Sequence, residues 1–315
     1  MFTILPYSPG RLGEWNEFLT RSKNGTFLFD RSYMDYHSDR FADLSLMVLD
    51  RKGRLFALFP ANRVGDTLYS HQGLTYGGMV VGPKATAADV CGAMEAINVQ
   101  LRAQGIRRVV CKPLPWIYSA VPSDELLYAL TQVCQARIVS RDIASVVNVD
   151  RPLPFTELRR RGVKKALAHG VRTEYSDDLC TFWHILSDNL LHKYGSRPIH
   201  SLEEITLLKS RFPGNIRLLA AFEGEEMVAG TLLYITPRVV KTQYISASPK
   251  GKETGALDAL FSYLFAHTPQ QQTYIDLGTS ALEHSNTLRL PLIFQKEGFG
   301  ARAVCYDTYE WEVGD

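Results

Sequence analysis

Short apolar runs that alternate with polar residues, separated by longer stretches of helical period, follow one another in the same order twice along the chain. In the first half, residues 44–49 read as a strand, 50–53 as a turn and 54–60 as the returning strand of a hairpin. A third strand at 68–70 runs into the glycine-rich HQGLTYGGMVVG. Residues 87–104 then have helical periodicity closed by Gly105, and 107–111 read as a buried strand. The second half repeats this plan about 170 residues later: strand 217–222, the turn EGEE, strands 227–234 and 239–248, a helix over 254–266 and a strand over 273–277.

Each copy must cover the apolar face of its sheet. The pattern therefore predicts an α/β chain of the α+β type, with two tandem domains, each a mixed, mostly antiparallel sheet flanked by helices. The boundary is expected near 150–154, where the strand-like ASVVNVD meets RPLPF, whose two prolines continue neither a ladder nor a helix interior. That gives an N-terminal domain over 1–150 and a C-terminal domain over 151–315.

Composition changes this picture little but removes several function classes. A chain of 315 residues with 45% hydrophobic and 22% charged residues has material for two cores. A formal charge of +2 gives no global drive toward nucleic acid or an acidic membrane, so any anion site must be local. No basic region precedes the apolar residues of MFTILPYSPGRLGEW, and no run approaches the ~20 apolar residues of a spanning helix. The expectation is a cytoplasmic protein without an integral membrane segment, with a lipid-linked substrate at the inner membrane face left open. Cys91, Cys111, Cys134, Cys180 and Cys305 are widely spaced and read as reduced small hydrophobes, and no metal site is expected.

Chemistry concentrates in the C-terminal half. QYISASPKGKETGA at 243–256 is a strand ending in small residues, then a basic loop and a helix start, an arrangement whose amides are open to an anion. It nominates Ser246, Ala247, Ser248, Lys250, Lys252, Gly255 and Ala256 for a cofactor and Tyr244 for a substrate; a solvated loop is the alternative. In DLGTS, Asp276 at a strand end is placed to orient an amine and take its proton, with Ser280 beside the substrate, or else simply to cap a turn. Lys296 falls in the last turn of a helix ending at Gly298, where its plain role is to complement the helix dipole. RRRGVKK at 159–165 is either a solvated helix face or a phosphate holder.

Two loops supply further substrate candidates. In HKYGSRPIHSLEEI, Ser201 and Glu204 form a capping box, while Lys193, Tyr194, Arg197 and His200 precede it in an irregular segment. In the N-terminal copy the third strand leads into HQGLTYGG and not into a basic loop, so that copy is expected to shape the acceptor pocket, with His71, Gln72 and Tyr76 lining it or packing nearby.

The order of elements, together with FQKEGF, resembles the GNAT acetyltransferase superfamily and more closely its Fem-type tandem branch. Asn286, Phe294, Gly298 and Phe299 align with the superfamily's Asn-led helix ending in Tyr-x-x-x-Gly-Phe, with Phe294 where the tyrosine that protonates the departing thiolate usually stands. Lys252 and Gly255 match the pyrophosphate motif, and Leu257 replaces its last small residue. Lys296 to Phe299 look like the Fem-type Lys-x-Gly-Phe, KKALAHGV like the family's basic helix start, and Asp276, Gly278 and Ser280 like an Asp-x-Gly-x-Ser pattern of Fem-like proteins from polysaccharide clusters.

The resemblance implies an N-acyltransferase with Asp276 and Lys296 as catalytic residues and amides near Ser246 to Ser248 polarising the carbonyl. It implies acyl-CoA as donor and an amine of a sugar, amino sugar or cell-envelope precursor as acceptor. Two alternatives accompany it: a Fem-type transferase using charged tRNA, against which the missing helical arm counts, and a non-catalytic tandem-GNAT binding protein.

Overall fold

The computed structural model describes residues 2–269, 271–280 and 287–314. Its chain divides into two compact units, one formed by the residues up to Asp142 together with those from Cys305 onward, the other by Ile143–Val304. The division precedes the proline-flanked 150–154 because strand Arg137–Asn148 runs unbroken through residue 142. The last residues return to the first unit because Tyr309–Glu312 pair antiparallel with Arg108–Cys111.

In the first unit, Leu46–Leu49 lies between Thr3–Pro6 and Leu55–Phe59, all antiparallel, and Val80–Val81 pairs beyond them. A second group pairs Asn62–Val64 with Thr67–Tyr69, which in turn lies parallel to Arg108–Val110. The crossover between those parallel strands contains helix Ala87–Ala103, opened by a capping box between Thr86 and Asp89. Its buried Val90, Met94, Ile97 and Leu101 recur at helical spacing and join Leu46, Val48, Ala57 and Phe59 in one core.

The second unit has the strand order Val171–Ser176, Ile216–Glu223, Glu226–Ile235, Val239–Ala247, Tyr274–Thr279, then residues 143–148. Every pairing is antiparallel except that of Val239–Ala247 with Tyr274–Thr279. That parallel pair again requires a crossover, and helix Ala256–Ala266 packs its Leu260, Phe261 and Leu264 onto the sheet's Leu219, Val228 and Val240.

The helix expected over 254–266 is Ala256–Ala266, and the loop expected before it is itself a short helix, Pro249–Thr254; the two meet at Gly255, whose φ of +80° is the left-handed conformation that ends helices. Lys193 and Tyr194 belong to helix Leu179–Tyr194 and not to the loop expected there; Gly195, at φ +61°, ends that helix. Among the described residues, no helix is long and apolar enough to cross a membrane.

Candidate active site

The parallel strands of the second unit stay together for only three positions. Val239, Val240 and Lys241 pair with Tyr274, Ile275 and Asp276, and the ladder stops there. Opposite Leu232 and Leu233 the register of Val239–Ala247 slips by one, leaving Gln243 as the extra residue of a bulge. A bulge bends its strand and ends pairing, so the strands part from residue 242 onward. Ser248 N–H donates to the Val228 carbonyl at 2.9 Å, and antiparallel alternation then sends the Ser246 amide to the same neighbour. The Ile245 and Ala247 amides face the opposite, parted edge. The donors expected between Ser246 and Ser248 thus reduce to Ala247, joined by Ile245.

At the root of the parting lie three charges. Asp276 is fully buried; one carboxylate oxygen accepts from the Gly278 amide at 2.7 Å and the other from the Lys241 ammonium at 3.3 Å. Lys296, 6% exposed, reaches back from helix Leu290–Gly298 to donate to the carbonyls of Gly278 and Thr279 at 2.9 and 2.7 Å. An ammonium has three N–H bonds, and those two carbonyls take two of them. Burial pushes Lys296 down to about 8, a depression that Asp276 opposes and Lys241 deepens. Lys296 is therefore no dipole-complementing surface lysine. Gly278, at φ +76°, turns the chain so that both lysine nitrogens crowd its open side, at 3.9 and 4.0 Å from where a Cβ would stand.

Two polar atoms on or just beyond the same two strands lack partners among the described residues. Among the described residues, the hydroxyl of the fully buried Ser280 has no hydrogen-bond partner, and the buried Gln243 side-chain oxygen likewise has none. Unsatisfied buried groups are uncommon in folded chains and concentrate where a ligand or water completes the set.

The loop expected to hold a pyrophosphate is knitted into the fold. Asn189, from helix Leu179–Tyr194, donates to the Ser246 hydroxyl at 2.7 Å and the Ala247 carbonyl at 2.6 Å and accepts from Lys252. Ser248 caps the short helix by accepting from Gly251 N–H at 3.1 Å, and Lys250 bridges Glu226 and Glu223 at 2.8 and 3.2 Å. A Cβ on Gly251 would stand 2.1 Å from the Val228 carbonyl oxygen, and one on Gly255 would stand 2.7 Å from that of Gly162. Close backbone approach accounts for both glycines. Ala256 is fully buried.

Of the arginines in RRRGVKK, Arg159 pairs with Asp258 at 3.0 Å, while Arg160 and Arg161 pair with Glu157, leaving Lys164 and Lys165 exposed.

The structure unites two substrate candidates: His200 Nδ1 lies 2.6 Å from the Tyr244 hydroxyl, with the Trp183 ring edge-on to Tyr244. Lys193 and Arg197 are exposed, and the Tyr194 side chain is outside the described residues. Asn286 also falls outside them, and Phe294, 64% exposed, has no part in the site.

In the first unit Tyr76 is buried, bonded to Thr26 and packed on Tyr118, and together with His71 and the exposed Gln72 it borders a cavity of about 330 Å³ beside Tyr69, Lys112 and Thr308. Among the described residues no cluster of three or more His, Cys, Asp or Glu is arranged to hold a metal ion.

No protein-family model matches this chain, and no curated protein matches it. Solved structures do. A structure of FemX superposes with a TM-score of 0.69 at 11% identity, covering 98% of this chain and 97% of that one. L-PGS from Bacillus licheniformis gives 0.61 at 14%, covering 96% and 91%. A tandem GNAT protein from the clavulanic acid biosynthesis pathway gives 0.52 at 11%, covering 100% and 99%.

The chain has a GNAT-like fold of the Fem type. Within that fold, Lys241, Gln243 and Asn189 are the residues that sequence reasoning missed. The one signal for Lys241 was a lysine two residues into a strand that is otherwise apolar on entry.

Proposed function

We propose that this protein is an N-acyltransferase that moves an acyl group from an activated ester or thioester to the neutral amine of a sugar, amino sugar or cell-envelope precursor. The observation that carries this reading is Lys296: a buried ammonium clamped by two carbonyls, held down to about 8, with one N–H that has no partner among the described residues, beside the point where two strands part. The amine nitrogen attacks the acyl carbon, the bond to the leaving oxygen or sulfur breaks, and the proton shed by the amine ends on the leaving group. The Ala247 and Ile245 amides polarise the carbonyl, and Lys296 supplies and recovers the proton, being near the working pH where such transfer is most efficient. Asp276, accepting from Gly278 and Lys241, holds Lys241 in place, favours the protonated form of Lys296, and keeps acceptor capacity to orient the amine or take its proton.

Acyl-CoA is the first donor to test, as the superfamily resemblance implies. A specific observation favours the aminoacyl-ester reading as a second: Lys250 is engaged by two glutamates, and Gly251 and Gly255 are occupied by backbone packing, which leaves little of a pyrophosphate cradle. The experiment is thermal stability of the purified protein with coenzyme A, an acyl-CoA series and a charged tRNA, followed by amide formation on amino sugars with whichever donor raises the melting temperature. Stabilisation by one donor class together with amide product supports the proposal. Binding without product with any amine tested points to the non-catalytic alternative.

A further inference from the structure

The first unit carries a groove of about 1040 Å³ between helix Leu12–Arg21, the tip of hairpin Leu46–Phe59 and the turn before helix Ala87–Ala103, reached by the last glycine of the glycine-rich segment, Gly82. Its floor is apolar: Phe18 is buried, and Phe2 and Phe56 are half-buried with ring centroids 4.8 Å apart. Its rim is charged, and the charges do not cancel.

The carboxylates of the rim are already committed. Glu14 pairs with Arg11 at 2.8 Å, and Asp89 closes the capping box with Thr86. Asp50 accepts from the amides of Lys52 and Arg54 at 2.8 and 3.0 Å and from the Arg54 side chain at 2.9 Å, which holds its carboxyl below the usual carboxylate range. The cations differ. Arg51, Lys52 and Lys84 are exposed and have no ion-pair partner among the described residues. Asp50 fixes the hairpin tip that carries Arg51 and Lys52, and Lys84 lies in the turn before helix Ala87–Ala103, all three lining the groove.

We propose that this groove docks the first unit onto an anionic phospholipid surface, with lipid phosphates against Arg51, Lys52 and Lys84 and the glycerol and upper acyl carbons against Phe2 and Phe56. Charge complementarity selects the occupant. A free phosphate would leave the phenylalanine floor unused. A nucleic acid would need a track of cations along many phosphates, whereas here three sit on one turn and one loop of a chain with a formal charge of +2. A bilayer surface supplies both the charge and the apolar layer, and basic side chains beside it attract it within a Debye length. This docking is independent of the proposed transfer chemistry and extends it only by bringing the protein to a surface.

The test is co-sedimentation of the full chain with vesicles of phosphatidylcholine alone or mixed with phosphatidylserine, at low and high salt. The wild type is expected to bind the mixed vesicles, to bind pure phosphatidylcholine far less, and to release in high salt. Each surface cation contributes roughly fivefold, so the triple variant Arg51→Gln, Lys52→Gln, Lys84→Gln should bind on the order of a hundredfold more weakly, with an unchanged melting temperature. Lys84→Gln alone should give the single step. No binding to the mixed vesicles, or equal binding by the triple variant, overturns the proposal. So does retention of an RNA duplex through the same three residues with no vesicle binding, which would assign the groove to nucleic acid.

Discussion

Lys241 and Asp276 are partners at the last register position of the second unit's parallel ladder, and their side chains form an ion pair of 3.3 Å at the point where the strands part. Lys296 senses both. The Lys241 charge depresses its pKa and the Asp276 charge raises it. Lys241→Met should therefore move the Lys296 titration upward from about 8, and Asp276→Asn should move it further down, each by roughly one unit or more. NMR of isotopically labelled lysine side chains reads both shifts; movement in the same direction in the two variants would refute the three-charge arrangement.

The same depressed pKa has a stability signature. Between about 8 and the ordinary value of 10.5, the unfolded lysine keeps its proton while the folded one has lost it. The unfolded state thus binds more protons, and stability rises with pH across that window. Denaturant melts of wild type and Lys296→Met at pH 7 and pH 10 should show the wild type gaining on the variant by on the order of 3 kcal/mol. A constant difference would mean that Lys296 is not buried in its charged form.

His71 provides a test of the same sign in the first unit, at acid pH. It is buried in the left-handed region at φ +71°, stacked near His37, and burial pushes it down to about 3. From the ordinary 6.5 down to that value only the unfolded chain takes up the proton, so stability falls as pH falls through the window, by about 1.4 kcal/mol per pH unit. Asparagine tolerates the left-handed backbone and does not titrate there. His71→Asn should flatten the acid slope by one proton in melts from pH 6.5 to pH 4.

The two glycines of the loop at 249–256 separate packing from ligand binding. Gly251→Ala and Gly255→Ala should each lower stability by roughly 2–3 kcal/mol, because the new methyl meets a carbonyl oxygen or a left-handed backbone. Gly13→Ala, at an exposed position of helix Leu12–Arg21 with nothing within 4 Å of the added carbon, should instead stabilise by about 0.5–1 kcal/mol. If the first two variants melt like wild type and lose only donor affinity, the glycines serve a ligand.

The repeated succession of strands and helices was legible because hydrophobic period is a local property, and the capping box at Ser201 was written in four residues. Asp276 and Lys296 were legible as short motifs. Their relation was not. Lys241 lies 35 residues from Asp276 and meets it only through a parallel register that no local pattern encodes. Gly251 and Gly255 looked like room for an anion, since sequence shows the missing side chain but not the Val228 or Gly162 carbonyl that fills the space. The short helix Pro249–Thr254 was hidden because its Pro249 and Gly251 read locally as a loop.

The most direct test of the central claim is the single-turnover rate of amide formation, with the donor that stabilises the protein and an amine acceptor, for wild type and Lys296→Met. The account predicts a fall of roughly 10²–10³-fold with donor affinity retained. Equal rates would contradict it, leaving Lys296 as a buried structural lysine and placing the chemistry elsewhere.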